Sequence, residues 1–270
     1  MMEIPILFED DALFIINKPA GVVVNRAESV KTETIQDWII QRTQSLKLKT
    51  QNEGAVVEGG EERKVKMVDD RDVYAEFYSR NGFVHRIDKE TSGILLIAKT
   101  PESFEILQTQ FRERNVHKTY LALVHGDVLP DAGEIRAPVG RLPWNKERFG
   151  IVPGGKDAVT KYKKIAHYEL PTPVAGQAIT KEGKEKISLV ELQPETGRTH
   201  QIRVHLKYIN HPILGDFLYA GRKTSRDDRI TIPRIMLHAW KITFEHPISH
   251  EMLSIEAPIP EDMNDIIKSS

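Results

Sequence analysis

No cysteine occurs among the 270 residues. A disulfide framework, a thiol nucleophile, an iron–sulfur cluster and any thiolate-ligated zinc site are therefore excluded. Long hydrophobic runs are missing as well: stretches such as 93–98 are far too short to span a bilayer. The opening MMEIPILFEDD has acids where a secretory leader needs a basic start. No Asn-x-Ser/Thr acceptor is present. These absences predict a soluble, cytoplasmic protein with no membrane partner. Charge of one sign is not in surplus either. Lys and Arg number 38 against 39 Asp and Glu, a net of −1. Any attraction for a polyanion must come from local patches. With 17 Gly and 15 Pro, the chain is neither collagen-like nor of low complexity.

What is present is an ordinary globular balance, 40% hydrophobic and 29% charged. ILFED and ALFIIN read as paired strands around the turn Asp10-Asp11. Ile35, Trp38, Ile39 and Leu46 share a helical face, with Thr34 as cap. From about 47 to 80 the chain is polar, glycine-bearing and aperiodic, which predicts an insertion or mobile loop. ILLIAK reads as a buried strand. Thr100-Pro101-Glu102 starts a helix through Phe104, Leu107 and Phe111. KTYLALVHG, 158–169, 185–192, IMLHAWKITF and MLSIEA read as further strands, with a Gly/Pro-bearing connection at 171–184. THQIRVHLKYI reads as a helix capped by Thr199, and PEDMNDIIK as a closing helix. The mixture predicts an α+β fold with a largely antiparallel sheet.

Two motifs are set aside. GIVPGGK at 150–156 has P-loop spacing, but Asp157 stands where Ser or Thr should hold magnesium, and a β-type run follows. His200, His205 and His211 with Asp216 suggest a metal site. His200 and His205, however, are five apart and would leave a helix on different faces. No metal and no cofactor are expected. HRIDKETSG is more informative, because it puts Asp88 among His85, Arg86 and Lys89 on a loop ending in small residues. ETGRTHQIRVHLK brings Arg198 in a turn and Arg203 on a helix, a natural setting for phosphates. Tyr120 follows Lys118 on a strand, and such an aromatic can stack on a splayed base.

Taken together these stretches resemble the RluA-type family of RNA pseudouridine synthases. The matching runs are NKPAGVVV at 17–24, HRIDKETSGILLIAK at 85–99, KTYLALVHG at 118–126 and ETGRTHQIRVHLKYINHPILGD at 195–216, with LHAWKITFEHP at 237–247 as a closing strand. Ile87 stands where the family usually has leucine. The resemblance implies one α+β catalytic domain over 1–270, with a mixed, mostly antiparallel β-sheet flanked by helices and a central cleft. Because NKPAG begins at 17, no separate N-terminal RNA-binding module is expected. By the same resemblance Asp88 is the catalytic carboxylate, Arg203 its ion-pair partner and Tyr120 the ring that stacks on the target uracil. Arg86 fills the space of the extruded base and Arg198 contacts phosphate. Lys18, His85, Thr91, Ser92, Gly93 and His200 shape or contact the substrate site.

The implied reaction breaks the ribose–uracil bond and rejoins the turned base through carbon. It is an isomerisation that needs no cofactor, and a single carboxylate can serve as nucleophile or base. The base must first leave its stack, at a cost of a few kcal/mol. The expected partner is transfer or ribosomal RNA, and the expected state is a monomer. The rival reading is an RNA-binding or RNA-chaperone protein without catalysis. The other rival is a nucleoside or glycoside hydrolase using Asp88, and such enzymes usually need a second carboxylate as acid.

Overall fold

Asp10 turns the chain between its first two strands, β1 (Ile6–Glu9) and β2 (Leu13–Lys18). Its Oδ1 accepts the amides of Ala12 (2.8 Å) and Leu13 (2.9 Å), which closes the turn without glycine. The computed structural model describes residues 2–26, 30–42, 73–171 and 184–269. Helix α1 (35–42) starts where Thr34 predicts. The Thr34 hydroxyl accepts the Asp37 amide (3.1 Å), and the Asp37 carboxylate accepts the Thr34 amide (2.8 Å), a reciprocal cap. Ile35, Trp38 and Ile39 form its buried face.

The predicted mobile stretch at 47–80 divides in two. Residues 47–72 lie outside the described residues, as do 172–183 of the predicted connection. Residues 73–80 are not a loop but helix α2 (Val73–Arg80). Phe77 holds it edge-on against Phe104 of α3 (Pro101–Glu113), with ring centroids 5.7 Å apart. Helix α3 begins as expected, with Thr100 Oγ1 accepting the Ser103 amide and Pro101 in the first turn.

Among the described residues the main sheet has nine strands. After β3 (Ser92–Ala98) and β4 (His117–His125) come β5 (Ala132–Arg136), β8 (Val159–Pro171), β9 (Lys184–Pro194), β10 (Leu237–Glu245) and β11 (Met252–Glu256). Their order is β1-β2-β3-β10-β4-β9-β8-β5, with β11 also on β10. Among the described residues only β3 and β10 run parallel; every other pairing is antiparallel. A small hairpin of β6 (Val139–Leu142) and β7 (Asn145–Ile151) stands apart. Helices α4 (Gln201–Tyr208), α5 (Arg222–Thr231) and α6 (Glu261–Lys268) complete the chain. This is the mixed, mostly antiparallel α+β arrangement that the sequence predicts.

Two of the larger hydrophobic clusters on the sheet bear on the site. One gathers Leu121, Leu123, Val190, Leu206, Met236 and Met263. The other gathers Leu13, Leu96, Phe104, Leu107 and Phe244. A third packs α1 through Ile35 and Trp38 on Phe14, Ile16 and Leu95. Each fully buried Leu or Phe contributes roughly 1.5–3 kcal/mol relative to exposure. Tyr120 packs against the first two clusters and so sits where they meet. At that junction β3 lies very close to β10. Gly93, at φ +109°, comes so near that a Cβ would meet the Ala239 carbonyl oxygen at 2.2 Å. Glycine is required there by both conformation and space.

Thr199 does not cap α4. The helix starts two residues later, and its N-cap is His200 in the left-handed region (φ 55°, ψ 19°), with no side-chain cap bond. Capping preferences lose here because the His200 ring is drawn to another partner.

Candidate active site

Arg203 is the hub of the site. It lies in α4, almost fully buried, and it faces two carboxylates. Its Nε and Nη2 donate to Asp216 Oδ2 (2.8 Å) and Oδ1 (3.0 Å), a bidentate pair. Its Nη1 donates to Asp88 Oδ2 (3.2 Å). Asp216 Oδ1 also accepts the amides of Leu218 and Tyr219, each at 3.2 Å, so the buried carboxylate is well satisfied. The guanidinium lies over the Tyr219 ring, 4.9 Å from its centroid. Asp88 and Arg203, paired in the sequence reading, are therefore brought together. Asp216 and Tyr219 complete the arrangement. Asp216 ends the matching run 195–216 but has a sequence-based role only in the metal reading; Tyr219 lies three residues beyond that run and carries no sequence signal.

The Asp88 loop is held from below by Lys18. This lysine is fully buried, and its Nζ donates to the carbonyls of Pro19 (2.7 Å), Val22 (2.9 Å) and Lys89 (2.9 Å). Burial pulls its ammonium down to about 7, while Glu90 and Asp88 oppose that shift. Three carbonyl acceptors engage three N–H groups, which is the pattern of the charged form. Lys18 thus has no donor left for RNA; it staples the loop to the 19–22 turn.

The remaining predicted residues divide by position. Arg86 is exposed at the cleft mouth. His85 lines the wall, stacks on Phe111 (4.9 Å between centroids), and accepts the Leu96 amide at Nε2 (3.0 Å). Burial, helped by Lys118, pulls it down to about 3, so it is a neutral acceptor. Thr91 faces the cleft and is buried, and among the described residues its Oγ1 has no hydrogen-bond partner. Ser92 is turned away, bonding His238 Nδ1 (2.9 Å), and Gly93 serves the β3–β10 approach. Arg198 lies on the rim, its Nε donating to the Asp157 carbonyl (3.1 Å). His200 reaches Tyr219 Oη with Nδ1 (2.8 Å) and lies 3.7 Å from Asp88 Oδ2 with Nε2. The three histidines considered for a metal do not converge. His205 bonds Thr160 and the Ala137 carbonyl, and His211 bonds the His125 carbonyl.

Gln201 is a further residue the sequence reading passed over. Its amide oxygen accepts from Thr196 Oγ1 (2.6 Å) and the Arg198 amide (3.0 Å). Its nitrogen donates to Val159 O (2.9 Å) and Thr160 Oγ1 (3.0 Å). All four of its hydrogen-bonding valences are used, which fixes the turn carrying Arg198 to β8.

These elements enclose a cleft of about 500 Å³ with Asp88, Tyr120 and Arg203 in its wall. Six Arg or Lys side chains line it against two carboxylates, Asp88 and Glu195. The neutral chain has therefore concentrated positive charge at one place. Burial raises the Tyr120 phenol above its ordinary range, and Asp88 adds to that, so the ring stays uncharged. An uncharged aromatic, an ionisable carboxylate and a cationic rim can receive a flat base attached to a phosphate backbone. No helix among the described residues is long and apolar enough to cross a membrane.

Comparison with known proteins agrees with this geometry. Residues 12–208 match the family model for RNA pseudouridylate synthase. The chain is 35% identical over 267 residues to an uncharacterized RNA pseudouridine synthase, YhcT, of Bacillus subtilis, spanning 99% of this chain and 72% of that protein. It is 34% identical to the ribosomal large subunit pseudouridine synthase D of Nitrosomonas europaea, spanning 98% of this chain and 64% of that protein. Among solved structures, human RNA pseudouridylate synthase domain containing 1 superimposes with a TM-score of 0.64 at 25% identity, over 95% of this chain and 83% of that one.

Proposed function

The chain belongs to the RNA pseudouridylate synthase family, and from that premise we propose that Asp88 is the carboxylate that opens the ribose–uracil bond of a flipped-out uridine. The protein is an RNA pseudouridine synthase, an isomerase acting on RNA. One observation carries the assignment of Asp88. Its carboxylate sits in the cationic cleft with Tyr120, and its Oδ2 is held by Arg203 at 3.2 Å, while no described residue hydrogen-bonds Oδ1. Arg203 orients the carboxylate, and Oδ1 is free to meet the substrate. Tyr120 offers a stacking face, worth roughly 1–3 kcal/mol per base. That offsets part of the few kcal/mol needed to unstack the target. Arg86 at the mouth occupies the space the base leaves, and Arg198 meets phosphate.

The relatives named for the ribosomal large subunit make ribosomal RNA the first substrate to test, with transfer RNA second. We infer that the enzyme meets this substrate in the cytoplasm. A monomer suffices, since one chain supplies Asp88, Arg203 and Tyr120.

The test uses RNA carrying tritium at uracil carbon five. Wild type releases tritium to water as the base rejoins through that carbon; Asp88→Asn, whose amide oxygen can still accept from Arg203, releases none. Turnover by Asp88→Asn at the wild-type rate would remove Asp88 from the reaction. RNA binding without release by wild type would favour the chaperone reading.

A further inference from the structure

We propose that Tyr219 is a positioning residue that locks His200 as the Nε2–H tautomer, aimed at the Asp88 carboxylate. The inference rests on Asp88 being the catalytic carboxylate, and it concerns a contact that lies outside the sequence motifs.

The argument is a count of hydrogens at one oxygen. Tyr219 is 9% exposed. Its Oη receives the backbone N–H of Phe149 (3.0 Å) and lies 2.8 Å from His200 Nδ1. Among the described residues no other group is within hydrogen-bond distance of that oxygen. Burial raises the phenol above its ordinary range, so it keeps its proton. The Phe149 amide can only donate. If His200 Nδ1 also carried hydrogen, two N–H groups would point at one phenol oxygen, and the buried O–H would have no acceptor. The arrangement closes only when Tyr219 donates to a bare Nδ1. The imidazole hydrogen of a neutral ring then sits on Nε2.

His200 is neutral by its surroundings. Burial lowers it below the ordinary imidazole range; Arg203 and Arg86 act the same way, against Asp88 and Asp216. Its Nε2 lies 3.7 Å from Asp88 Oδ2, just beyond a hydrogen bond. Catalytic contacts often stand loose in the free enzyme and tighten around substrate. Arg203 Nη1 approaches the same Oδ2. Once the His200 contact tightens, two donors on one oxygen fix the carboxylate plane and turn Oδ1 to the cleft. The left-handed backbone of His200 now has a purpose: it swings the ring between Tyr219 and Asp88 instead of capping α4. Phe149 belongs to the β6–β7 hairpin and stands edge-on to His200 with centroids 5.6 Å apart. Seating of that hairpin is therefore part of the lock.

The test is nitrogen NMR of the free, full-length protein labelled with nitrogen-15 histidine, near neutral pH. The His200 signals are assigned by their loss in His200→Gln. Wild type is expected to show the Nε2–H tautomer. Tyr219→Phe keeps the ring over Arg203 but removes the hydroxyl; it should show a mixture with Nδ1–H. Its kcat on tritiated RNA should fall roughly 10- to 100-fold, the worth of a hydrogen bond to a charged group, with little change in KM. An Nδ1–H tautomer in wild type overturns the proposal, and so does a Tyr219→Phe protein with unchanged tautomer and kcat. The tautomer is read without catalysis. Full activity of Asp88→Asn would therefore sink the catalytic assignment separately, leaving the Tyr219–His200 result to stand or fall alone.

Discussion

Arg203 serves two carboxylates that it binds unequally, and that inequality separates stability from catalysis. Asp216 is completely buried and takes two charge-assisted bonds from the guanidinium, at 2.8 and 3.0 Å, besides two backbone amides. Asp88 has a side chain 24% exposed and takes one bond, at 3.2 Å. In Asp216→Asn the guanidinium loses its close counter-charge, and the new amide nitrogen presents hydrogens where acceptors are needed. Breaking a buried pair from one side costs about 3–5 kcal/mol. Because Asp88 still neutralises part of Arg203, the lower end applies, about 3 kcal/mol. For a chain of this size each kcal/mol moves the melting temperature by roughly 2–4 °C, so a fall of roughly 6–12 °C is expected. In Asp88→Asn, Arg203 keeps Asp216, and the loss is about 1 kcal/mol or less. Calorimetry on both variants, with tritium release alongside, reads the two quantities. Asp88→Asn should melt near wild type and release nothing; Asp216→Asn should melt well below it and retain weak release. An Asp216→Asn protein melting within about 2 °C of wild type, or below which Asp88→Asn melts, would refute the division of roles.

Tyr120→Phe should keep most of the tritium release, because stacking needs the ring, whereas Tyr120→Ala should lose roughly 5- to 150-fold, the worth of 1–3 kcal/mol of stacking; equal rates would take Tyr120 out of that role. Gly93→Ala should accumulate as misfolded protein or melt far below wild type, since its Cβ would strike the Ala239 carbonyl at a positive φ; a normal melt would mean the strands can part cheaply. His125 predicts a pH effect on stability. Burial alone would lower it, but bonds to Asp228 and Glu185 prevail and lift it to about 9. The folded state thus holds a proton the unfolded state releases near pH 6.5, so this stabilisation is full below 6.5 and disappears as pH rises through about 9. Allowing for the half-exposed Glu185, about 2 kcal/mol is at stake. Melting followed from pH 6 to 10 should fall more steeply for wild type than for His125→Gln, and parallel curves would contradict the assignment.

The chemistry was legible because it restricts residue types tightly. Local context singles out the aspartate in HRID, the arginine in QIR and the tyrosine after lysine, the family resemblance implies their roles, and the structure gathers all three in one cleft. Apolar periodicity likewise located β2, β3, α3, β4 and β10, whose burial is hydrophobic. It had no purchase on α5. That helix buries Ser225 and Asp228 rather than an apolar stripe, and it is anchored by Asp228 accepting from Gly215 and bonding His125. Local capping preferences likewise chose Thr199 and missed the left-handed His200, because a tertiary hydrogen bond to Tyr219 outweighs a cap.

A residue that acts on substrate must have a particular functional group, so its identity is informative wherever it stands. A residue that holds another in place needs only to present a donor or acceptor at the right point in space. Many types can do that, and the fold chooses the partner across the chain. Lys18 reaches Lys89 across 71 positions and Arg203 reaches Asp88 across 115. Lys18 reads from sequence only as a residue that shapes or contacts the site, and the structure shows how: its ammonium sits inside three carbonyls and ties down the Asp88 loop. Tyr219 was silent until its oxygen was seen between an amide and an imidazole. The same logic explains why the site tolerates a neutral chain. The cations on the rim need only be near one another once folded: Arg112, Arg114 and Lys118 come from one short stretch, whereas Arg86 and Arg198 come from distant segments.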